Sequence, residues 1–157
     1  KMMGASAIIT SSSDEKLQKA KALGADHTIN YKTTPKWGEA VRDLTGGRGV
    51  DHVLEIGGPG TLPQSIAAAR TGGHISLIGI LTGVAGNVPT LVMMAKQIKL
   101  QGIIVGSRKH QLDMIRALEA NPGVRPVIDR TFPLSELSSA FLYEEGAQHF
   151  GKICVEV

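Results

Sequence analysis

The sequence has one cysteine, Cys154, among 157 residues. A single thiol excludes an intrachain disulfide and a cysteine-ligated zinc cluster. Cys154 alternates with Ile153 and Val155 near the end of the chain, which reads as a buried, inert strand position. Aromatic residues are scarce, at 4%, so the core is expected to be aliphatic. No apolar run approaches the length that spans a bilayer. No secretory leader is recognisable, because KMMGASAIIT enters a strand almost at once, and a cytoplasmic location is expected by default. A strong excess of charge of one sign is also missing. The formal charge is +3, with basic residues scattered along the chain, which argues against a nucleic-acid partner. The five histidines, His27, His52, His74, His110 and His149, show no paired-ligand spacing, so no metal site is expected within these residues.

Glycine is plentiful instead, with 19 residues. Many stand where a strand should turn into a helix. The most informative stretch is Val50 to Gly79, VDHVLEIGGPGTLPQSIAAARTGGHISLIG. Val53, Leu54 and Ile56 form an apolar run too short for a helix, and Ile75, Leu77 and Ile78 form another. Residues 59–73 supply the crossover that two parallel strands require. Ligands of open α/β sheets sit at the carboxyl ends of the strands, here Gly57-Gly58 and Gly79.

The rest alternates in the same way. Lys1–Ala5 reads as a helix tail stopped by Gly4, so a chain cut upstream is expected. Strands are expected at 7–10, 27–31, 100–105 and 152–157, with a short extended piece at 127–128. Ser13 or Asp14 caps a helix carrying Leu17, Ala20 and Leu23, ended by Gly24. Further helices are expected from Pro35 to Leu44 with Val41 and Leu44 inward, after Pro89, over 108–120 with Leu112, Ile115 and Leu118 on one face, and from Glu136 with Ser135 as cap. The alternation predicts an α/β fold, a doubly wound parallel sheet.

Two turns carry the functional signal. VLEIGGPGT resembles the first motif of S-adenosylmethionine methyltransferases, an acid before a glycine-rich turn. Against that reading, at least two strands precede the motif, and the next strand ends in Leu77-Ile78-Gly79-Ile80 rather than in an acid. It is not a dinucleotide fingerprint either, since Pro63 occupies the third glycine position. Glu55 is the odd acid, mid-strand and expected to be a paired structural carboxylate. The end of the first strand, Ser11-Ser12-Ser13, is neutral where a dinucleotide fold that selects NAD carries an acid, with Lys16 following on the next helix. A helix cap with a solvated lysine explains the same residues equally well.

TSSSDEKLQKAKALGADHTINY, LTGGRGVDHVLEIGG, AAARTGGHISLIG and HFGKICVEV together resemble, in this order, the cofactor domain of the medium-chain dehydrogenase/reductase superfamily, the zinc-type alcohol dehydrogenases and quinone oxidoreductases. The resemblance implies a Rossmann-type sheet that lacks its first strand and glycine-rich pyrophosphate loop. It implies a partial dinucleotide-binding domain over 1–150, with 151–157 leading back to an absent catalytic domain. The implied function is hydride transfer between NADP (or NAD) and alcohols, aldehydes, quinones or enones. Zinc, where the family has it, belongs to the absent domain, and no catalytic residue is implied here. Cofactor contacts implied are Ser11, Ser12, Lys16, Tyr31, Ile56, Gly57, Gly79, Ile80, Leu81, Ile104, Val105 and Lys152. Leu100–Val105 is the implied edge strand of a homodimer. On this reading the chain alone is expected to turn nothing over and to hold cofactor poorly. The other readings are the methyltransferase-like domain and a non-catalytic nucleotide-binding module.

Overall fold

The computed structural model describes residues 1–157. Contacts divide the chain into two compact units, Met3–Val105 and Gly106–Val157. The sequence places the boundary at 150 instead. The last strand pairs within its own unit with a strand that begins at Ile128, so the two stay together.

The first unit alternates strand and helix: β1 (Ile8–Ser11), α1 (Asp14–Ala22), β2 (His27–Asn30), α2 (Trp37–Leu44), β3 (Val50–Glu55), α3 (Leu62–Ala68), β4 (Ala69–Leu77), α4 (Thr90–Ala95) and β5 (Lys99–Gly102). Its strands are parallel, as an alternating chain requires, but they form two sheets, β1-β2 and β3-β4-β5. The break between β1 and β3 falls where the expected fold has its first strand. Each of these two strands therefore has an edge without a strand partner. Side chains bridge the break. Ile29 of β2, Val41 of α2 and Ala68 of α3 form a buried cluster on which Ile8 and Val50 also pack. A second cluster, Leu62, Ile66, Ala69, Ile75 and Ile98, seats α3 on the β3-β4-β5 sheet.

Local chemistry sets the ends of the elements. The Ser13 hydroxyl accepts the Lys16 N–H at 3.3 Å, with Asp14 and Glu15 in the first turn of α1, where carboxylates oppose the helix dipole. Gly24, at φ +96°, carries the chain away from that helix. The Asp26 carboxylate accepts the Ala7 N–H at 2.7 Å and pairs with the Lys1 ammonium. Lys1 first, and then the Ala7 amide, hold its pKa down to about 2. Asp51 joins the starts of β3 and β4 by accepting from both Arg48 and Arg70. These two guanidiniums hold its carboxyl far below the ordinary range.

Several boundaries differ from expectation. Residues 1–4 form a turn, closed by Gly4 N–H to Lys1 O at 2.8 Å, and not a helix tail. The crossover helix stops at Ala68, and β4 begins at once, because buried Ala69 pairs with Val50. β5 ends at Gly102, so Ile103, Ile104 and Val105 lie outside the strand expected to reach 105.

The second unit holds α5 (Arg108–Glu119), β6 (Ile128–Pro133), a 3-10 turn (Leu134–Glu136), α6 (Leu137–Glu145) and β7 (Lys152–Glu156), with β6 and β7 parallel. β6 is longer than the short piece expected because its ladder with β7 continues to Pro133, which pairs with Glu156. Ser135 does not cap a helix; it sits inside the 3-10 turn. Leu112 and Ile115 of α5 are exposed, and in the first unit Val41 is buried as expected whereas Leu44, at the end of α2, is exposed rather than inward. Cys154 is a free, half-buried thiol. Asp129 accepts the Tyr143 hydroxyl at 2.7 Å and the Phe150 N–H at 3.0 Å, tying β6 to α6 and the loop after it. No helix in the chain is long and apolar enough to cross a membrane.

Candidate cofactor site

Parallel pairing brings the carboxyl ends of the strands to one edge of each sheet, and eleven of the twelve residues singled out above lie along these edges or just beyond. In the β1-β2 sheet, Ser11 closes β1. Its carbonyl accepts the Tyr31 N–H at 3.0 Å, and its hydroxyl accepts the Ser13 N–H at 3.2 Å. Ser12 is half-buried behind it, Lys16 stands in the first turn of α1, and Tyr31 is exposed just past β2. The nearest acid in sequence is Asp14. Its carboxylate accepts the Asn30 side-chain amide at 2.7 Å, so a carboxylate does stand in this neighbourhood, held by a neutral partner.

In the β3-β4-β5 sheet, the chain after β3 and the chain after β4 run into contact. Glu55 O accepts the N–H groups of Ile78 and Gly79 at 2.8 and 3.2 Å, and Gly57 O accepts the Thr82 N–H at 2.8 Å. A Cβ placed on Gly79 would lie 2.4 Å from the Ile56 carbonyl oxygen, so only glycine permits this approach. Gly58, at φ +84°, also comes close to Ile80, whose Cα would lie 2.9 Å from an added Cβ. Ile56, Ile80 and Leu81 leave this crossing exposed. Ile103 N–H donates to Leu77 O at 2.9 Å, which sets Ile104 and Val105 beyond the same edge, 93% and 82% exposed. The result is an open apolar border on a frame of backbone hydrogen bonds. Lys152 belongs to the second unit, where it opens β7 at the amino end of its strand.

Glu55 organises this crossing from inside, and is 3% exposed. Its Oε1 accepts the N–H of Gly57 at 2.7 Å, the N–H of Gly58 at 3.0 Å and the Thr61 hydroxyl at 2.5 Å. Its Oε2 accepts the Ser65 hydroxyl. Both oxygens are thus engaged within the protein, and the acid does not face a ligand. Thr61, Ser65 and Thr82 escape sequence reasoning. The first two had a signal: hydroxyls four apart at the start of α3 and within it, following an acid that an apolar strand would otherwise exclude. Thr82 had none, because its partner Gly57 is 25 residues away.

No three side chains of His, Cys, Asp or Glu converge on a point that would hold a metal ion. The histidines do not supply one, and the cross-strand pair His52 and His74 stacks with ring centres 5.6 Å apart. These residues do not fit a zinc site. A dinucleotide fits better. The edges offer neutral serines, an ammonium on α1, glycines that bring backbone to the surface, and exposed aliphatic side chains against which a flat ring can lie.

Comparison with known proteins gives the same direction. Residues 1–120 match the family model described as zinc-binding dehydrogenase. A zinc-type alcohol dehydrogenase-like protein of Schizosaccharomyces pombe is 43% identical over 159 residues, covering 98% of this chain and 45% of that protein. A 2-haloacrylate reductase of Burkholderia sp. is 32% identical over 164 residues, covering 96% of this chain and 48% of that protein. The crystal structure of an NAD-dependent alcohol dehydrogenase superposes with a TM-score of 0.87 at 33% identity, over 98% of this chain and 44% of that one. The chain therefore spans less than half the length of each of these relatives.

Proposed function

The chain belongs to the zinc-binding dehydrogenase family, and on that premise we propose that its protein is an oxidoreductase moving hydride between a nicotinamide dinucleotide and an alcohol, aldehyde, quinone or enone. The observation that carries this reading is the crossing of residues 55–58 with 78–82, where glycine contact brings two loops together beneath exposed Ile56, Ile80 and Leu81. The nicotinamide supplies the hydride when bound. The chain's own part is to bind, orient and shield it. Ile56, Gly57, Gly79, Ile80 and Leu81 form one wall, and Ile104 and Val105 add aliphatic surface that excludes water from the ring. Lys152 is proposed as a phosphate contact from the second unit.

NADP is the favoured cofactor. Ser11 and Ser12 present no carboxylate at the end of β1, and Lys16 adds a positive charge one turn into α1; Tyr31 lies against the adenosine end. Asp14, engaged by Asn30, is the group that opposes this choice. A homodimer through β5 and its continuation to Val105, and a cytoplasmic location, complete the proposal. The methyltransferase reading is set aside, because it needs an acid on the ligand, whereas Glu55 spends one oxygen on the N–H groups of the turn and on Thr61 and the other on Ser65 of α3.

The test is turnover by the full-length protein. NADPH consumption is followed with aldehydes, quinones and enones, and with NADH in parallel. The expected result is consumption with at least one class and a preference for NADPH. Ser11→Asp is expected to reverse that preference by about tenfold or more, since a carboxylate would then repel the 2′-phosphate. No consumption with any class would refute the activity, and an unchanged preference in Ser11→Asp would refute the role of Ser11.

A further inference from the structure

We propose that Glu55 is a positioning residue that makes the two cofactor-facing loops, residues 57–60 and 79–83, move as one body. The proposal rests on the cofactor reading above and adds to it how the wall is held in shape. The bonds form a continuous chain. The buried carboxylate holds the N–H groups of Gly57 and Gly58. The Gly57 carbonyl on the other side of that peptide accepts the Thr82 N–H at 2.8 Å and the Thr82 hydroxyl at 2.7 Å. The same hydroxyl oxygen accepts the Gly60 N–H at 2.8 Å. Thr82 thus closes a ring that begins at Glu55, returns to the glycine turn and includes the second loop. Thr61 and Ser65 fix the carboxylate from α3, so the ring is referred to the helix and not to solvent.

The chemistry explains why an acid stands in an apolar strand. Two consecutive N–H groups and two hydroxyls converge on it, and a carboxylate is the one side chain with acceptors enough for all four. Charge-assisted bonds of this kind are short and about twice as strong as neutral ones. A glycine turn at φ +84° has many other conformations available, and the acid selects one. A pre-organised wall spares the cofactor the cost of ordering it on binding.

Four variants test this in the full-length protein: Glu55→Gln, Glu55→Ala, Thr82→Val and the double variant of Glu55→Gln with Thr82→Val. Glu55→Gln keeps one acceptor oxygen for the turn and, with its amide, can donate to Ser65, so the fold survives; Glu55→Ala removes every bond. Amide exchange is read at Gly57, Gly58 and Thr82. Although Thr82 donates to Gly57 and not to Glu55, its amide is expected to exchange faster in Glu55→Gln together with those of Gly57 and Gly58, and at least about tenfold faster in Glu55→Ala. For NADPH, Glu55→Gln and Thr82→Val are expected to raise Kd by similar factors. The double variant should be little worse than either, the signature of residues acting as a unit. Unchanged exchange at Thr82, or Kd effects that multiply, would overturn the proposal. If the unmodified protein binds neither NADPH nor NADH, the cofactor reading fails, and exchange at Thr82 still decides whether Glu55 couples the loops.

Discussion

At the scale of single residues, the informative groups are carboxylates whose partners are backbone amides. Asp26 takes the Lys1 ammonium and the Ala7 N–H, which hold its carboxyl down to about 2, below the ordinary carboxylate range. A pKa lower in the folded than in the unfolded chain means stability that is present above the unfolded value and is lost as pH falls through the folded one. Asp26→Asn is therefore expected to flatten the change of denaturation midpoint between roughly pH 4 and pH 2. A carboxyl-carbon titration of Asp26 with its midpoint near 4 would contradict the bonding seen here. Of the two acids Glu55 and Asp26, the first is half legible in the sequence and the second is not. Glu55 is conspicuous as an acid among Val53, Leu54 and Ile56, and its structural role follows from that. Its coupling to Thr82 does not, because contacts 25 residues apart leave no local pattern. Asp26 sits in an ordinary turn after Gly24, where an acid attracts no notice.

At the scale of elements, α3 shows how a short helix is secured. It has seven residues and no side-chain cap at its start, too few to persist alone in water. Its hold comes from packing and from its far end. Ile66 is fully buried against Ile75 and Ile98. The Lys96 ammonium donates to the carbonyls of Ile66 and Ala67 at 2.7 and 2.9 Å, where a helix end attracts a cation. Burial, and then the charge of Arg42, lower the Lys96 pKa, so the stem is sheltered while the head is bonded. Ile66→Ala is expected to cost about 2–5 kcal/mol, and Lys96→Met about 1–3 kcal/mol through the lost charged bonds. Urea denaturation measures both, and a loss below about 0.5 kcal/mol for Ile66→Ala would contradict the core assigned here. The helix itself is legible from the glycines around it. Its end is not, because Ala67-Ala68-Ala69 suits a helix by propensity, and the pairing of Ala69 with Val50 overrides it.

At the scale of the whole molecule, the first unit is a doubly wound α/β body whose sheet is interrupted between β1 and β3. The alternation of apolar runs and glycine turns is enough to read the order of elements, because each strand needs a crossover. The partition of strands among sheets and the division at 105 are not readable, since both depend on which edges find partners. The interruption has a measurable consequence. β4 is paired on both sides, whereas β1 and β3 are paired on one, and a parallel strand directs successive N–H groups to opposite edges. Amide exchange of residues 1–157 is expected to alternate between slow and fast along β3 and to be uniformly slow along the centre of β4. Uniform protection of β3 would mean that its second edge is occupied.

The carboxyl edge of the β3-β4-β5 sheet, with the end of β1, is proposed to receive a nicotinamide dinucleotide. The most direct test is to titrate NADPH into the isotope-labelled full-length protein and follow individual backbone amides. Saturable shifts are expected at Ser11, Gly57, Gly79, Ile80 and Ile104, with much smaller changes at α5 and β6. Absence of saturable binding of either NADPH or NADH, or shifts that leave Gly57 and Gly79 unmoved, would contradict it.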